Sequence, residues 1–408
     1  MSSRARVKTT DFVARDLALY MHIPFCAARC SYCDFCSTVV PPDARDAALD
    51  AYCAALMQQI AAWGHLVPAG TTVSSVYIGG GTPSLLGRRL PVLLAALRQS
   101  FDLQQLREIT VEANPESFDD QLAAVLAAAG VTRISLGVQS LDNQALQLLG
   151  RIHTADSAVA ALQAAKNAGL RVSADFLFGL PTDSSVPTDA HTAARQLAAD
   201  LQAVAAEIEH LSVYPLTAEA GTLLYQQLDE QIVQLPDQEA LVDQLAAVEQ
   251  LLTQQGFIRY EISSYAHPGA QCQHNLRYWT CDSRRGDYLG FGVSAASMLN
   301  HADGSRSRFV LHNTREDYLQ QPDTTTPAQS EALTPAQARR EDVMLALRTK
   351  TGAPLSAVTE AGLQYVCKEL CQEELLTRED DHYRCTNRGW LLGNTVFSRV
   401  WNAPNSAT

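Results

Sequence analysis

Between residue 17 and about residue 265 the chain alternates between two kinds of segment, and this alternation constrains the fold more than any other feature of the 408-residue sequence. Short runs rich in Val, Ile, Leu and aromatic residues recur: LALYMHI (17–23), VSSVYIG (73–79), EITVEAN (108–114), RISLGVQS (133–140), RVSADFLFG (171–179) and EHLSVYPL (209–216). Between them lie longer Ala/Leu/Gln-rich stretches, such as DAALDAYCAALMQQIAAW (46–63) and HTADSAVAALQAAKNAG (153–169), whose apolar residues return at helical spacing. Apolar runs of this kind suit strands covered on both faces, and the helices between them supply the crossovers of right-handed βαβ units. Six units, with no seventh or eighth discernible, predict an α/β fold built as an open, partial (βα)6 barrel. In such architectures chemistry gathers at the C-terminal ends of the strands.

Beyond the alternation, GFIRYEISSYA (256–266) leads into an aromatic-rich section, read as irregular, to about residue 320. The stretch QQPDTTTPAQSEALTPAQ (320–337) has the Pro, Thr and Gln content of a linker. Residues 338–408 read as helix, helix and a strand–turn–strand with Asp380 and Asp381 at its tip, resembling a winged-helix fold. The expected organisation is therefore a barrel domain over 1–319, a linker over 320–337 and a small domain over 338–408. Winged helices often bind DNA, but this one carries nine basic and nine acidic residues, and the whole chain has a net charge of −13. That balance argues against a nucleic-acid partner. No run approaches the 18 or so apolar residues of a transmembrane helix. The first residues, MSSRARVKTTDFVAR, lack the apolar core of a secretory signal. A cytoplasmic, reducing location is the expectation.

Clustered cysteines then have to be read against that compartment. HIPFCAARCSYCDFCS (22–37), directly after the first strand, holds Cys26, Cys30, Cys33 and Cys36. Disulfides, zinc and an iron–sulfur cluster compete for them. Structural disulfides are rare in a reducing compartment. Zinc prefers four ligands, commonly as paired C-x2-C units far apart in sequence, and no second pair stands at such a distance. A cubane cluster usually takes four thiolates. The C-x3-C-x2-C spacing of Cys26, Cys30 and Cys33 leaves one iron open to a small molecule, with Cys36 a loop thiol rather than a fourth ligand.

This loop, placed after the first strand of a partial barrel, resembles the radical S-adenosylmethionine (radical SAM) superfamily. The resemblance implies a [4Fe–4S] cluster whose open iron is chelated by SAM, and reductive cleavage of a carbon–sulfur bond of that cofactor. GGGTPSLL (79–86) follows the second strand, where glycines let a ligand approach the backbone; by itself it is equally a tight turn before a helix. Glu112, Gln139, Arg151 and Asp175 lie on or just beyond later strands, and any one of them alone reads as an ordinary hydrogen-bonding residue.

Taken together, YMHIPFCAARCSYCDF, GGGTPS, VEANPES, RISLGVQS, DFLFGLP and MLALRTKTG (344–352) resemble the oxygen-independent coproporphyrinogen III oxidase family over nearly the whole chain. The resemblance implies that Tyr20 and Tyr32 flank the cluster and SAM, that Gly80, Gly81 and Thr82 hold the methionine end, and that Glu112, Gln139, Arg151 and Asp175 complete the pocket. Those chemistries suit their roles: a guanidinium pairs with a carboxylate, and carboxylates accept from ribose hydroxyls and ammonium groups.

The family has a decarboxylase branch and a heme-chaperone branch, and three features favour the second. Cys33-Asp34-Phe35 stands where the decarboxylase has Cys-Gly-Cys. Only 25 residues precede Cys26, where the decarboxylase carries a longer extension. QCQHNLRYWTCD (271–282) contains the H-N-x-x-Y-W motif of the chaperone branch. Here a neutral His274 is expected as an axial heme ligand, with Tyr278 and Trp279 offering aromatic area. A zinc site from Cys272, His274 and Cys281 is the competing reading of the same segment. The resemblance thus implies heme as cargo, with acceptor proteins, respiratory enzymes among them, as partners. It also implies transfer rather than decarboxylation of a porphyrinogen, contact with the membrane through acceptors only, and room for a homodimer.

Overall fold

The computed structural model describes residues 6–12, 16–184, 190–280 and 286–404. All six expected strands form, each within two residues of its expected bounds: β1 Asp16–Ile23, β2 Thr72–Gly80, β3 Glu108–Ala113, β4 Arg133–Gln139, β5 Arg171–Phe178 and β6 His210–Pro215. They are parallel and lie side by side in chain order, β1 beside β2 and so on to β6. The crossovers are helices, as the alternation requires. The first, Pro42–Leu66, has proline at its first position, where no amide donor is lost, and it buries Leu49, Tyr52, Leu56, Ile60 and Trp63. That spacing of three to four residues puts all five on one stripe against the sheet. Each such side chain contributes about 1.5–3 kcal/mol of burial.

The sheet runs on past the six units at both margins. Beyond β6 lie two short antiparallel strands, β7 Ile258–Arg259 and β8 Ser264–Ala266. Beyond β1 comes β9 Asp287–Phe291, parallel to it, followed by the antiparallel strands β10 Ala296–Asn300, β11 Arg306–Val310 and β12 Gln329–Leu333. The aromatic-rich section read as irregular therefore contains, among its described residues, the strands β9 to β11 and the short helices Gln273–Trp279 and Arg315–Gln320. Likewise the segment 320–337 is not a plain linker, because β12 lies within it and the helix Pro335–Ala346 begins there. The sequences of β11 and β12 hide this because charged side chains pair along them. Arg308 pairs across to Glu331 at 2.9 Å, and Arg306 reaches Asp342 at 2.8 Å and also Glu341. RSRFV and QSEAL consequently lack the apolar alternation that marks a half-buried strand.

The C-terminal region has its own apolar cluster, formed by Val343, Leu347, Leu363, Val366, Leu370, Val396, Phe397 and Val400 with their neighbours. Around it stand the helices Pro335–Ala346 and Ala361–Gln372, the strand Ala353–Pro354 and the hairpin Leu376–Glu379/His382–Cys385. The two helices and the hairpin follow the order read from the sequence. The short strand between those helices falls outside that reading, as do the closing helices Asn387–Leu391 and Gly393–Trp401, the last of which supplies Val396, Phe397 and Val400. Among the described residues no helix is long and apolar enough to cross a membrane.

Candidate functional site

A cavity of about 380 Å3 opens at the C-terminal ends of the six parallel strands. Cys26, Cys30, Cys33 and Tyr32 line it from the loop after β1, with Gly80 and Gly81 from the end of β2. Glu112, Gln139 and Asp175 come from β3, β4 and β5, and Arg151 from the loop after the helix Asn143–Leu148. Residues far apart in sequence thus meet because each lies in the C-terminal half of a strand, or in the segment that follows one, and the strands all point the same way.

The cysteine loop is tied down along its length. Phe25–Cys26 pairs with Thr38–Val39, closing the loop on itself. In its middle, the Ser31 amide donates to the Leu149 carbonyl at 2.9 Å and the Leu224 amide donates to the Ser31 carbonyl at 2.7 Å. Cys26, Cys30 and Cys33 are half-buried, whereas Cys36 is exposed and stands outside the cavity lining. Burial pushes the Cys26 and Cys33 thiols up, so that the neutral form is favoured until a positive charge arrives.

Close approach explains the glycines. A Cβ at Gly81 would lie 2.8 Å from Cys26 Sγ and 2.7 Å from the Phe25 carbonyl oxygen, and Gly80 adopts φ +119°. Side chains there would close the gap between the end of β2 and the cysteine loop. Thr82, next in line, is buried and accepts from Asn114 Nδ2 at 3.0 Å, beneath the cavity wall rather than in it.

The charged groups are buried and aimed inward. Arg151 donates to Asn114 Oδ1 and to the Gly137 carbonyl, both at 2.8 Å, and its other terminal nitrogen lies 3.4 Å from Cys30 Sγ. Glu112 accepts from the Tyr77 hydroxyl at 2.7 Å and from the Gly80 amide at 2.9 Å. Neither partner is charged, and burial, with the Asp175 carboxylate nearby, raises Glu112 to about 7. Asp175 is raised to about 6, again by burial, against hydrogen bonds from Ser135 and Ser212. Gln139 adopts φ +65° where the β4–β5 register slips. A non-glycine residue in the left-handed region stores strain of order 1–3 kcal/mol, which the surrounding structure has to hold.

Besides Thr82, two of the expected residues lie outside the lining. Tyr20 is not in the lining; it stacks on Tyr77 at 6.3 Å, and its hydroxyl bonds His22 Nδ1 at 3.0 Å. His274 lies at the opposite end of the barrel, on the short helix Gln273–Trp279 that covers the starts of β2, β3 and β4. Only 1% of it is exposed. Its Nδ1 pairs with Ser75 Oγ at 3.0 Å, its Nε2 with the Tyr278 hydroxyl at 2.9 Å, and its amide donates to Glu108 at 3.2 Å. Burial first, and Arg277 second, hold the imidazole neutral, lowering it to about 3. Arg348 of the C-terminal region packs between Trp279 and Phe397, fixing the outer side of the helix.

Among the described residues no three His, Cys, Asp or Glu side chains converge as a single-ion site. Cys272 instead gives its S–H to Glu108 at 3.3 Å, and Cys281 of the competing zinc set lies outside the described residues. Three thiols spread along one cavity wall suit a polynuclear cluster better than one ion.

Comparison with known proteins agrees with this geometry. The model of the radical SAM superfamily matches residues 20–192, and that of the HemN C-terminal domain matches residues 333–392. The heme chaperone HemW of Mycobacterium tuberculosis (strain ATCC 25618 / H37Rv) is 35% identical over 93% of this chain and 93% of its own. HemW of Escherichia coli (strain K12) is 39% identical over 71% of each chain. The chain belongs to the HemW heme-chaperone family.

Escherichia coli HemN, a coproporphyrinogen III oxidase described as a radical SAM enzyme, superposes with a TM-score of 0.79 at 24% identity. The match covers 97% of this chain and 92% of that one, and it establishes the shared fold. As a radical SAM protein of the HemW family, the chain uses a [4Fe–4S] cluster and SAM, and the cavity fits both. Cys26, Cys30 and Cys33 can ligate the cluster. The Gly80–Gly81 edge, the Arg151 guanidinium and the Glu112 and Asp175 carboxyls offer complementary partners to an amino acid end and a ribose.

Three residues of this site escaped the sequence reading. Asn114 joins Arg151 to Thr82, Tyr77 holds Glu112, and Ser135 donates to Asp175 at 3.0 Å. Asn114 carried a usable signal, since it follows β3 directly before Pro115, inside the VEANPES segment. Tyr77 and Ser135 sit mid-strand, where nothing separates an inward polar residue from an outward one.

Proposed function

We propose that this protein binds heme and hands it to heme-requiring acceptor proteins, using a radical SAM barrel as scaffold. The observation that carries this reading is the likeness to HemW chaperones over 93% of both chains. HNLRYW adds residue-level support, because a neutral imidazole is the form that ligates iron and His274 is held neutral. To reach an iron atom, the ligating nitrogen of His274 has to give up its partner, Ser75 or Tyr278, and the buried ring has to be uncovered, so cargo loading involves displacement of the helix Gln273–Trp279.

At the other end, Cys26, Cys30 and Cys33 hold the cluster, and Tyr32, Gly80, Gly81, Glu112, Gln139, Arg151 and Asp175 surround SAM. Thr82 and Tyr20 support that pocket from behind. The cluster and SAM together supply one-electron chemistry; the chain's own residues orient the cofactor and shield it from water. Acceptors such as respiratory enzymes, a cytoplasmic location with membrane contact only through those acceptors, and pairing of two copies belong to the same proposal.

The test is a spectroscopic heme titration of anaerobically prepared, cluster-loaded protein, followed by transfer to a heme-free acceptor. One heme per chain is expected, with a shifted absorption band and impaired transfer in His274→Ala. Unchanged affinity, spectrum and transfer in that variant would remove His274 from the reading. Repeated turnover of coproporphyrinogen III to its divinyl product would favour the decarboxylase instead.

A further inference from the structure

The two ends of the barrel meet at one side chain. Tyr77 lies midway along β2 with its hydroxyl on Glu112 at 2.7 Å, on the cofactor side. Its ring lies 5.1 Å from the His274 imidazole, tilted by 30°, on the cargo-motif side. On its other side it stacks on Tyr20, whose hydroxyl bonds His22, and His22 Nε2 bonds the Cys36 carbonyl of the cysteine loop at 2.8 Å. Tyr77 also lines a small polar cavity of about 50 Å3, together with Glu112 and Asp175 from above and Cys272 and Asn275 from the helix end. Thr110 Oγ1 and Arg133 Nη1, both from residues that line this cavity, are buried without a hydrogen-bond partner among the described residues. The floor of the cofactor site and the roof of the His274 helix are thus separated by one aromatic ring and a space of water size.

We propose that Tyr77 is a positioning residue that couples occupancy of the cofactor cavity to the seating of the helix Gln273–Trp279. A ligand that brings positive charge to the cavity keeps Glu112 ionised, and an ionised carboxylate holds the Tyr77 hydroxyl more tightly than a neutral one. A tightened Tyr77 keeps its ring against His274, so the helix stays seated and its motif withheld. Coupling free energies are reciprocal, so whatever draws His274 out weakens the hold on the cofactor-side ligand by the same factor. This deepens the proposed function, on which its meaning for heme rests, while the coupling itself requires only the two ends of the barrel.

Hydrogen exchange on the full-length, cluster-loaded protein tests it, with saturating SAM as the probe. Protection of residues 79–86 reports that SAM is bound; residues 273–279 report the helix. In the wild type SAM should slow exchange over 273–279 by at least about five-fold, the lower end of ordinary coupling. Tyr77→Phe keeps the ring and removes the hydroxyl; it should keep the protection of 79–86 and lose the effect at 273–279. Glu112→Gln, which keeps the shape and removes the charge, should give the same loss at SAM concentrations raised until 79–86 is protected, and serves if Tyr77→Phe does not fold. The proposal is overturned if SAM protects 79–86 but leaves 273–279 unchanged in the wild type, if the effect persists in either variant, or if SAM protects neither segment. None of these readouts uses heme, so a failed heme titration beside a positive exchange result would sink the cargo reading and leave the coupling standing.

Discussion

Two carboxylates four residues apart on β3 show how differently the two ends of the barrel use the same chemistry. Glu108, at the start of the strand, is buried against Arg133 at 3.2 Å and also receives the Cys272 thiol and the His274 amide. Glu112, near its end, is buried beside a cavity with only a phenol and an amide as partners. The first is a closed ion pair that seals the barrel floor. The second is a carboxyl raised to about 7, whose missing partner is a positive charge. What separates the two carboxylates is whether the protein itself supplies a cation.

The sharpest way to break this comparison lies at the open end. Cys26→Ala, Cys30→Ala and Cys33→Ala should each abolish cluster assembly, while Cys36→Ala, which alters an exposed thiol outside the cavity, should retain about four irons and four sulfides per chain. Iron and sulfide analysis after anaerobic reconstitution decides it; loss of the cluster in Cys36→Ala alone would overturn the ligand set.

The carboxylates themselves come next. Glu108→Gln leaves Arg133 buried without its countercharge and should cost about 3–5 kcal/mol of stability in urea unfolding. Glu112→Gln should leave stability nearly unchanged and instead weaken SAM binding by about 1–3 kcal/mol, measured by titration against the cluster's electron paramagnetic resonance signal. If the two substitutions had the same profile, the distinction between floor and cavity would fall.

The smallest effect concerns pH, to which the ends respond with opposite signs. His274, lowered to about 3, refuses in the folded state a proton that the unfolded chain accepts near 6.5. Its contribution is therefore complete above pH 6.5 and is lost as pH falls, by about 1.4 kcal/mol per unit until the folded value is reached. Between pH 7 and pH 5 the wild type should lose about 2 kcal/mol more than His274→Gln. Glu112 and Asp175, raised to about 7 and 6, work the other way, favouring the fold at low pH and ceasing to do so as pH rises through those values. Equal acid sensitivity of wild type and His274→Gln would mean that the imidazole is not buried as described.

Legibility of the sequence divides along the same axis. The six strands and the cavity residues could be read because parallel strands are apolar runs and because their ends carry glycines, cysteines and charges in a recognisable order. Strands β11 and β12 could not, since the charged side chains of RSRFV and QSEAL, ion-paired among themselves and with Glu341 and Asp342, interrupt the apolar pattern, while β9 and β10 are short buried runs outside the βα alternation. The position of His274 was equally hidden. Its motif reads as a ligand-bearing loop, and only the tertiary structure shows the imidazole enclosed by Ser75, Tyr77 and Tyr278. Sequence reports which residues carry chemistry; whether they face a cavity or each other depends on what the barrel encloses.

The strand Thr72–Gly80 bears on how such a protein can change over generations. Ser75 and Tyr77 reach His274, and Gly79 lies against Glu112, where a Cβ would come within 3.0 Å of the carboxyl. The three alternate along one face, so gaining or losing a single residue among them would turn part of the set outward toward the helices. A change of side chain alters one contact of that strand, whereas a change of length shifts them all, and Gly81 in the turn that follows is held to the same measure by its close approach to Cys26. Its spelling can drift, but its ruler cannot.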